Sequence, residues 1–176
     1  MGFVSRLLVS AAVVGGGVWL LRSRREDVRH LVVERVLERP TRAKRYAELA
    51  DDLYVAGERL GLRLQRTRPG AAASGVMRHI IGIERWGQSR LRVAFGEPFV
   101  RDAHQPYKPP REATWEELTQ DFHDTRAETV AIARGLSSDP PPPDWRVEHN
   151  ALGPLSARAW LRYLQLHADL ESRKLR

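Results

Sequence analysis

The sequence contains no cysteine, and this absence removes several kinds of chemistry. Without thiolates the chain has no disulfide bonds, no cysteine-bound zinc or iron–sulfur cluster and no cysteine nucleophile. A metal ion would therefore have to be bound by imidazole nitrogens and carboxylate oxygens. The sequence also lacks a serine–histidine–acid nucleophile motif, a phosphate-binding glycine loop and a dinucleotide fingerprint.

Long alternating patterns that would predict β-strands are missing as well, and no internal repeat is found. The chain has 176 residues, of which 42% are hydrophobic, so it can form one domain with a short appendage. A large multidomain enzyme is excluded. We therefore expect a single all-α domain.

The net charge of +7 comes from 29 Lys and Arg against 22 Asp and Glu. Such an excess raises the question of a nucleic-acid or anionic-membrane partner. Over residues 41–176, however, basic side chains are interleaved with acidic ones, a pattern typical of exposed helix faces. We therefore favour a solvated helical surface over a nucleic-acid interface.

Residues 3–21 form an apolar run interrupted by one charge, Arg6, and three arginines follow it at once. This pattern predicts an uncleaved membrane anchor, although the run is short for a bilayer. The arginines after the run place the following domain in the cytoplasm. The alternatives are a cleaved signal peptide, an unselected tail, and a plain cytoplasmic location.

A second apolar stripe, which includes Leu31 and Val36, follows helical spacing among charged residues. It predicts a juxtamembrane helix that ends before Pro40. We place a domain boundary there. Residues 1–40 form the anchor-like segment and the charged helix, and residues 41–176 form the main domain.

Apolar residues at intervals of three and four predict four helices in that domain. They lie near residues 42–65, 72–95, 115–135 and 156–174. Thr114 and Glu117 form a capping box at the start of the third helix, and Ser156 caps the fourth. The predicted core contains Leu53, Leu60, Ile80, Ile83, Leu118, Phe122, Leu161 and Leu164.

The lengths of the connections predict how the helices are arranged. Residues 66–70 are a short break, so we expect the first two helices to be antiparallel neighbours. Residues 97–113 contain four prolines and can cross from one end of a bundle to the other. Gly135 and the prolines at 140–143 end the third helix. The resulting prediction is an up-down-down-up four-helix bundle preceded by an N-terminal apolar helix.

Three residues on the predicted helices could bind a metal ion. His167 and Glu171 are four residues apart, which places both side chains on one helix face, although this spacing is also common in surface ion pairs. His79 lies among apolar residues of the second helix, where a hydrogen-bonded core histidine is the alternative interpretation. Convergence of all three would indicate a metal site.

Two segments resemble the DinB-like family. Residues 77–86, MRHIIGIERW, resemble its second-helix motif, in which a histidine precedes an apolar turn, a glutamate and aromatics. Residues 150–163, NALGPLSARAWLRY, with His167 beyond them, are similar to its fourth-helix entry, in which a Gly-Pro cap precedes a Trp-Leu pair and two histidines. The resemblance covers about residues 41–176 and implies an up-down-down-up bundle.

The resemblance also implies a site. In that family three histidines bind a divalent ion, commonly zinc or nickel, at one end of the core. His79 and His167 fall on the first two ligand positions, and Glu171 stands where the third histidine is expected. A two-histidine, one-carboxylate set suits Zn, Fe, Mn or Ni. The alternative is that Glu171 marks a lost site.

Other polar residues near the motifs are weaker candidates. His104, His149 and Glu84 could line the mouth of the site, although side chains at such positions are more often solvated. We expect Glu84 and Asp169 to be exposed partners of arginine. His123 is expected to face outward.

The resemblance implies a divalent-metal-binding domain that acts as a metal-dependent hydrolase or a thiol-dependent transferase on a small molecule. The alternative is a non-catalytic, stress-related structural bundle whose metal site is lost. Besides a small-molecule substrate, the expected partners are a membrane contacted through residues 3–21 and, as an option, a second copy of the chain in a homodimer. No residue pattern specifies a reaction.

Overall fold

The computed structural model describes residues 29–175, and this part of the chain is mostly helical. The α-helices are α1 (Tyr46–Leu64), α2 (Ala71–Arg92), α3 (Trp115–Ser138) and α4 (Ala157–Glu171). Strands β1 (Val147–His149) and β2 (Gly153–Leu155) form a small antiparallel hairpin before α4. Shorter elements are a π-helix (Val33–Glu38) and 3-10 helices (Val93–Phe95, Gln105–Tyr107, Ser172–Lys174). The all-α prediction is confirmed at this level.

The N-terminal ends of the helices follow from capping side chains. Glu117 accepts from the backbone N–H of Thr114, and its own N–H donates to the Thr114 hydroxyl, so the predicted capping box is confirmed. Ser156 accepts from the Ala159 N–H, as predicted. The first helix begins later than expected, at Tyr46, because Arg45 is extended and its N–H is capped by Glu48.

The end of α3 differs from the prediction. The helix continues past Gly135 to Ser138, because a glycine weakens a helix without ending it. The proline run that begins at Pro140 is the actual stop, since proline disfavours helical backbone in the preceding residue. Gly135 instead makes room for the ring of Phe95, which would lie 3.2 Å from an added Cβ.

Helices α1 and α2 each pack against both α3 and α4 and make few contacts with each other. The prediction that α1 and α2 are direct neighbours is therefore wrong. A short connection keeps only the joined ends of two helices close. Glycines on a helix allow another helix to pack closely at that position, and here they lie against α3 and α4. A Cβ at Gly57 would lie 2.7 Å from Arg126 of α3, and one at Gly87 would lie 2.5 Å from Leu164 of α4.

All eight predicted core residues are buried. They belong to two apolar clusters within the described residues. One surrounds Trp160 and reaches the hairpin, and the other surrounds Phe122 at the end where α1 finishes and α3 begins. Burial of each large side chain contributes roughly 1.5–3 kcal/mol, so the spacing of apolar residues dictates these helix faces.

The segment before α1 joins the first cluster through a different face from the predicted one. Val33 and Leu37 are buried, whereas Leu31 and Val36 are 48% and 43% exposed. The π-helical hydrogen bonds join residues five apart and shift the buried face relative to an α-helix. The helical segment does end before Pro40, as predicted, but the core begins before residue 41.

The predicted membrane anchor and N-terminal apolar helix, residues 3–21, lie outside the described residues and stay a prediction. Among the helices that the structure describes, none is long and apolar enough to cross a membrane.

Candidate metal centre

His79 on α2 and the pair His167 and Glu171 on α4 come together at the Phe122 end of the core. One ligand atom from each residue lies within 4.8 Å of the other two. The Nε2 atoms of His79 and His167 are 3.2 Å apart. The three residues selected from the sequence therefore form one group that could hold a metal ion.

The separation of the two imidazole nitrogens fits a shared ion. Two nitrogens bound at ~2.0–2.1 Å to a tetrahedral ion lie about 3.3 Å apart. The observed 3.2 Å is close to that value. The same distance also suits a single N–H···N hydrogen bond between two neutral rings. The donor set and the spacing are thus compatible with an ion, and measurement of metal content separates the two arrangements.

The burial of Glu171 argues against a simple surface ion pair. Only 4% of this residue is exposed, and α4 places it one turn after His167. A buried carboxylate needs a cation or several hydrogen-bond donors. Within residues 29–175 its ion-pair partner is Lys174, whose side chain is 51% exposed. The carboxylate is therefore paired with a group that is itself half-exposed.

Both histidines are held in the neutral form that metal binding requires. Burial lowers the pKa of His79 to about 4, against the opposing charge of Glu171. Burial also lowers the pKa of His167 to about 3, and the neighbouring His79 adds to that effect. At pH 7 both rings therefore offer a lone pair without first losing a proton.

His104 also lies at this site. Its ring centroid is 5.2 Å from that of His79, in an edge-to-face arrangement. Burial lowers the pKa of His104, and Lys108 lowers it further. His104 is therefore half-buried beside the metal-ligand group, a position compatible with a residue that lines the mouth of the site.

His149 is not at the mouth, and the expectation that it is solvated is wrong. It is 6% exposed, and its ring packs against two tryptophans and Tyr163. Its Nδ1 accepts hydrogen bonds from the backbone N–H groups of Ala151 and Leu152, in the turn between β1 and β2. Its Nε2 is buried without a hydrogen-bond partner among the described residues. The loop between the strands folds back over this side chain, which draws it into the core.

Glu84 is likewise buried rather than exposed, so that expectation is wrong. It is 1% exposed and accepts from Arg126 and from the Thr129 hydroxyl of α3, each at 2.8 Å. Gln88 donates to Thr129 and to the Thr125 carbonyl. We call these five residues the central polar cluster. The threonines recur at four-residue spacing on the apolar face of α3, a signal that could have revealed it from the sequence.

Two other expectations are confirmed. The Asp169 side chain is 34% exposed and lies 4.0 Å from Arg59, as expected for a surface partner of arginine. His123 is exposed and is not part of the metal-ligand group. Neither residue contributes to the candidate centre.

Comparisons with protein-family models, with curated proteins and with solved structures found no match to this chain. The resemblance to the DinB-like family therefore rests on the two sequence motifs and stays a prediction.

Proposed function

We propose that the chain is a DinB-like divalent-metal-binding domain in which His79, His167 and Glu171 hold one ion. The observation that carries the proposal is their convergence from two helices, with ligand atoms within 4.8 Å of one another. A two-histidine, one-carboxylate set suits Zn, Ni, Fe or Mn and leaves coordination positions for an exogenous ligand.

The proposal includes the up-down-down-up arrangement of the four helices, which is supported by the order of contacts along each pair. In two pairs of helices the residue numbers rise along one helix while they fall along the other. In α1 and α3 the contacts are Gly57–Arg126 and then Gly61–His123, and in α2 and α4 they are His79–His167 and then Gly87–Leu164.

In the other two pairs the residue numbers rise together. For α1 and α4, with the residues that flank them, the contacts are Lys44–Arg158 and then Arg63–Ser172, and for α2 and α3 they are Arg85–Asp121 and then Arg92–Glu128. Such an order is expected if α1 and α4 point one way and α2 and α3 the other.

The reaction class that we propose is hydrolysis or thiol-dependent transfer on a small molecule. When bound, the ion would supply Lewis-acid polarisation of a carbonyl, a thiol or a water molecule. The contribution of the chain is to keep both imidazoles neutral by burial and to present one carboxylate beside them.

A second candidate is the non-catalytic, stress-related structural bundle. The observation that favours it is that the polar groups can be satisfied without an ion. His79 and His167 can share one hydrogen bond, and Lys174 can neutralise Glu171. In that case the three residues form a local polar network.

Metal content separates the two candidates. The full chain, equilibrated with zinc and then dialysed, should retain one zinc per chain by elemental analysis. His167→Ala should retain much less zinc, because only two of the three proposed ligands remain. His123→Ala, which changes an exposed histidine outside the group, is the matched control and should retain one zinc. Equal zinc in wild type and His167→Ala, or none in the wild type, would support the non-catalytic bundle.

A further inference from the structure

The crossover between α2 and α3 is held on α2 by Asp102. Its carboxylate accepts from Trp86 at 3.0 Å, from Arg90 at 2.8 Å and from the Tyr107 hydroxyl at 2.7 Å. Arg90 is 1% exposed and the Asp102 side chain is 26% exposed, so this anchor is partly buried. The proline-rich segment that contains His104 is therefore fixed at both sides of that residue.

Gly82, three residues after His79 on α2, brings the crossover close to the candidate centre. A Cβ at this position would lie 2.6 Å from the Lys108 Cγ, 3.3 Å from the Lys108 Cα and 3.4 Å from the His104 carbonyl oxygen. The absence of a side chain at Gly82 thus lets the backbone of residues 104–108 rest on the helix. This close approach places the His104 ring 5.2 Å from that of His79.

His104 is near the three proposed ligands without being one of them. Its nitrogens do not join the group whose ligand atoms lie within 4.8 Å of one another. A side chain whose ring centroid is 5.2 Å from that of His79, outside the ligand group, is suited to contact a molecule bound to the ion rather than the ion itself. Lys108 follows four residues later on the same segment, and its positive charge lowers the pKa of both His79 and His104.

We infer that His104, positioned by the crossover, donates a hydrogen bond to a small anionic ligand at an open position of the ion. The inference rests on the proposed function, because it requires the ion. The ligand class follows from the two groups that the crossover supplies, an imidazole N–H donor and a lysine cation. Asp102 and Gly82 are positioning residues for His104.

Azide binding to the cobalt-loaded full chain, followed by visible absorption, tests this inference. Cobalt(II) replaces zinc as a spectroscopic probe of ligands at the ion. His104→Phe keeps a ring but has no N–H donor. It should bind one cobalt as the wild type does, but its affinity for azide should be about tenfold weaker, since one hydrogen bond to a charged ligand is lost. His123→Phe is the matched control and should leave both values unchanged.

Glycine variants test the positioning separately. Gly82→Ala should weaken azide binding because its methyl group displaces residues 104–108. Gly75→Ala makes the same substitution on the same helix, where an added Cβ meets nothing within 4 Å, and should have no effect.

Four results would overturn the inference. Azide that does not bind the wild type, or binds His104→Phe equally well, shows that His104 does not contact the exogenous ligand. Loss of cobalt itself from His104→Phe makes His104 a ligand instead. A wild type that binds no cobalt removes the proposed function together with the inference.

Discussion

The candidate metal centre and the central polar cluster are both buried polar groups that join helices, but they are satisfied in different ways. In the central cluster the Glu84 carboxylate receives a guanidinium and a hydroxyl at 2.8 Å each. At the metal centre two neutral imidazoles face each other at 3.2 Å beside a buried carboxylate whose partner is a half-exposed lysine. The cation of the central cluster is buried with its carboxylate, whereas at the metal centre an ion from solution could replace the half-exposed lysine.

This difference shows how the same cost of burial leads to different roles. Removing a carboxylate from water costs several kcal/mol unless a charge compensates it. Where the cation is a buried arginine, as in the Arg126–Glu84 pair, the cluster can serve to hold helices in register. Where the cation is a half-exposed lysine, as in the Lys174–Glu171 pair, an exogenous ion can replace it, and the group is a candidate site. Three experiments can break or sharpen the comparison.

The largest effect is expected at the central polar cluster. Arg126→Met removes the cation and leaves Glu84 buried without a compensating charge. We expect the free energy of unfolding, measured by urea denaturation, to fall by about 3–5 kcal/mol. The control is Arg92→Met, which breaks a half-exposed pair with Glu128 between the same two helices. It should cost less than about 1 kcal/mol, and equal losses for the two variants would contradict the distinction.

The second experiment uses pH to probe the metal centre without metal. The folded-state pKa of His167, about 3, lies below its ordinary value of 6.5. The unfolded chain therefore takes up a proton first as the pH falls, so stability that is fully present above pH 6.5 is lost toward pH 3. Between pH 6 and 4.5, His167→Gln should lose about 1 kcal/mol less per pH unit than the wild type.

His123→Gln provides the reference for that pH series. It makes the same substitution at an exposed histidine outside the metal-ligand group, so a change of slope found only in His167→Gln is assigned to the ring of His167. If His167→Gln gives the wild-type slope, the ring of His167 is accessible to water in the folded chain, and the contrast between the two clusters is lost.

The smallest effect is expected for Lys174→Met. This lysine pairs with Glu171 but is 51% exposed, so its removal should lower the stability of the metal-free chain by less than about 1 kcal/mol. Because Lys174 competes with an ion for the carboxylate, zinc affinity measured by calorimetry should rise about threefold. Lys44→Met removes a similarly exposed partner of Asp52, far from the centre, and should leave zinc affinity unchanged. Weaker zinc binding by Lys174→Met would mean that the lysine supports the site.

The sequence alone determined the local features of this protein. Helix spans, the Thr114 and Ser156 caps and the eight core residues follow from the spacing of apolar side chains and from hydrogen bonds between residues a few positions apart. The pairing of His167 with Glu171 on one helix face is local in the same way. Such features depend on neighbours along the chain, so pattern reasoning can predict them.

Only the tertiary structure decided which faces meet. Gly57 of α1 packs against Arg126 of α3, and Gly87 of α2 packs against Leu164 of α4. Helices α1 and α2 therefore contact α3 and α4 rather than each other. The burial of His149 depends on a hairpin loop that no apolar periodicity marks. Charged and imidazole side chains are compatible with both water and a paired interior. Their environment is therefore set by residues distant in sequence, because the free energy of burying them depends on the partner they find there.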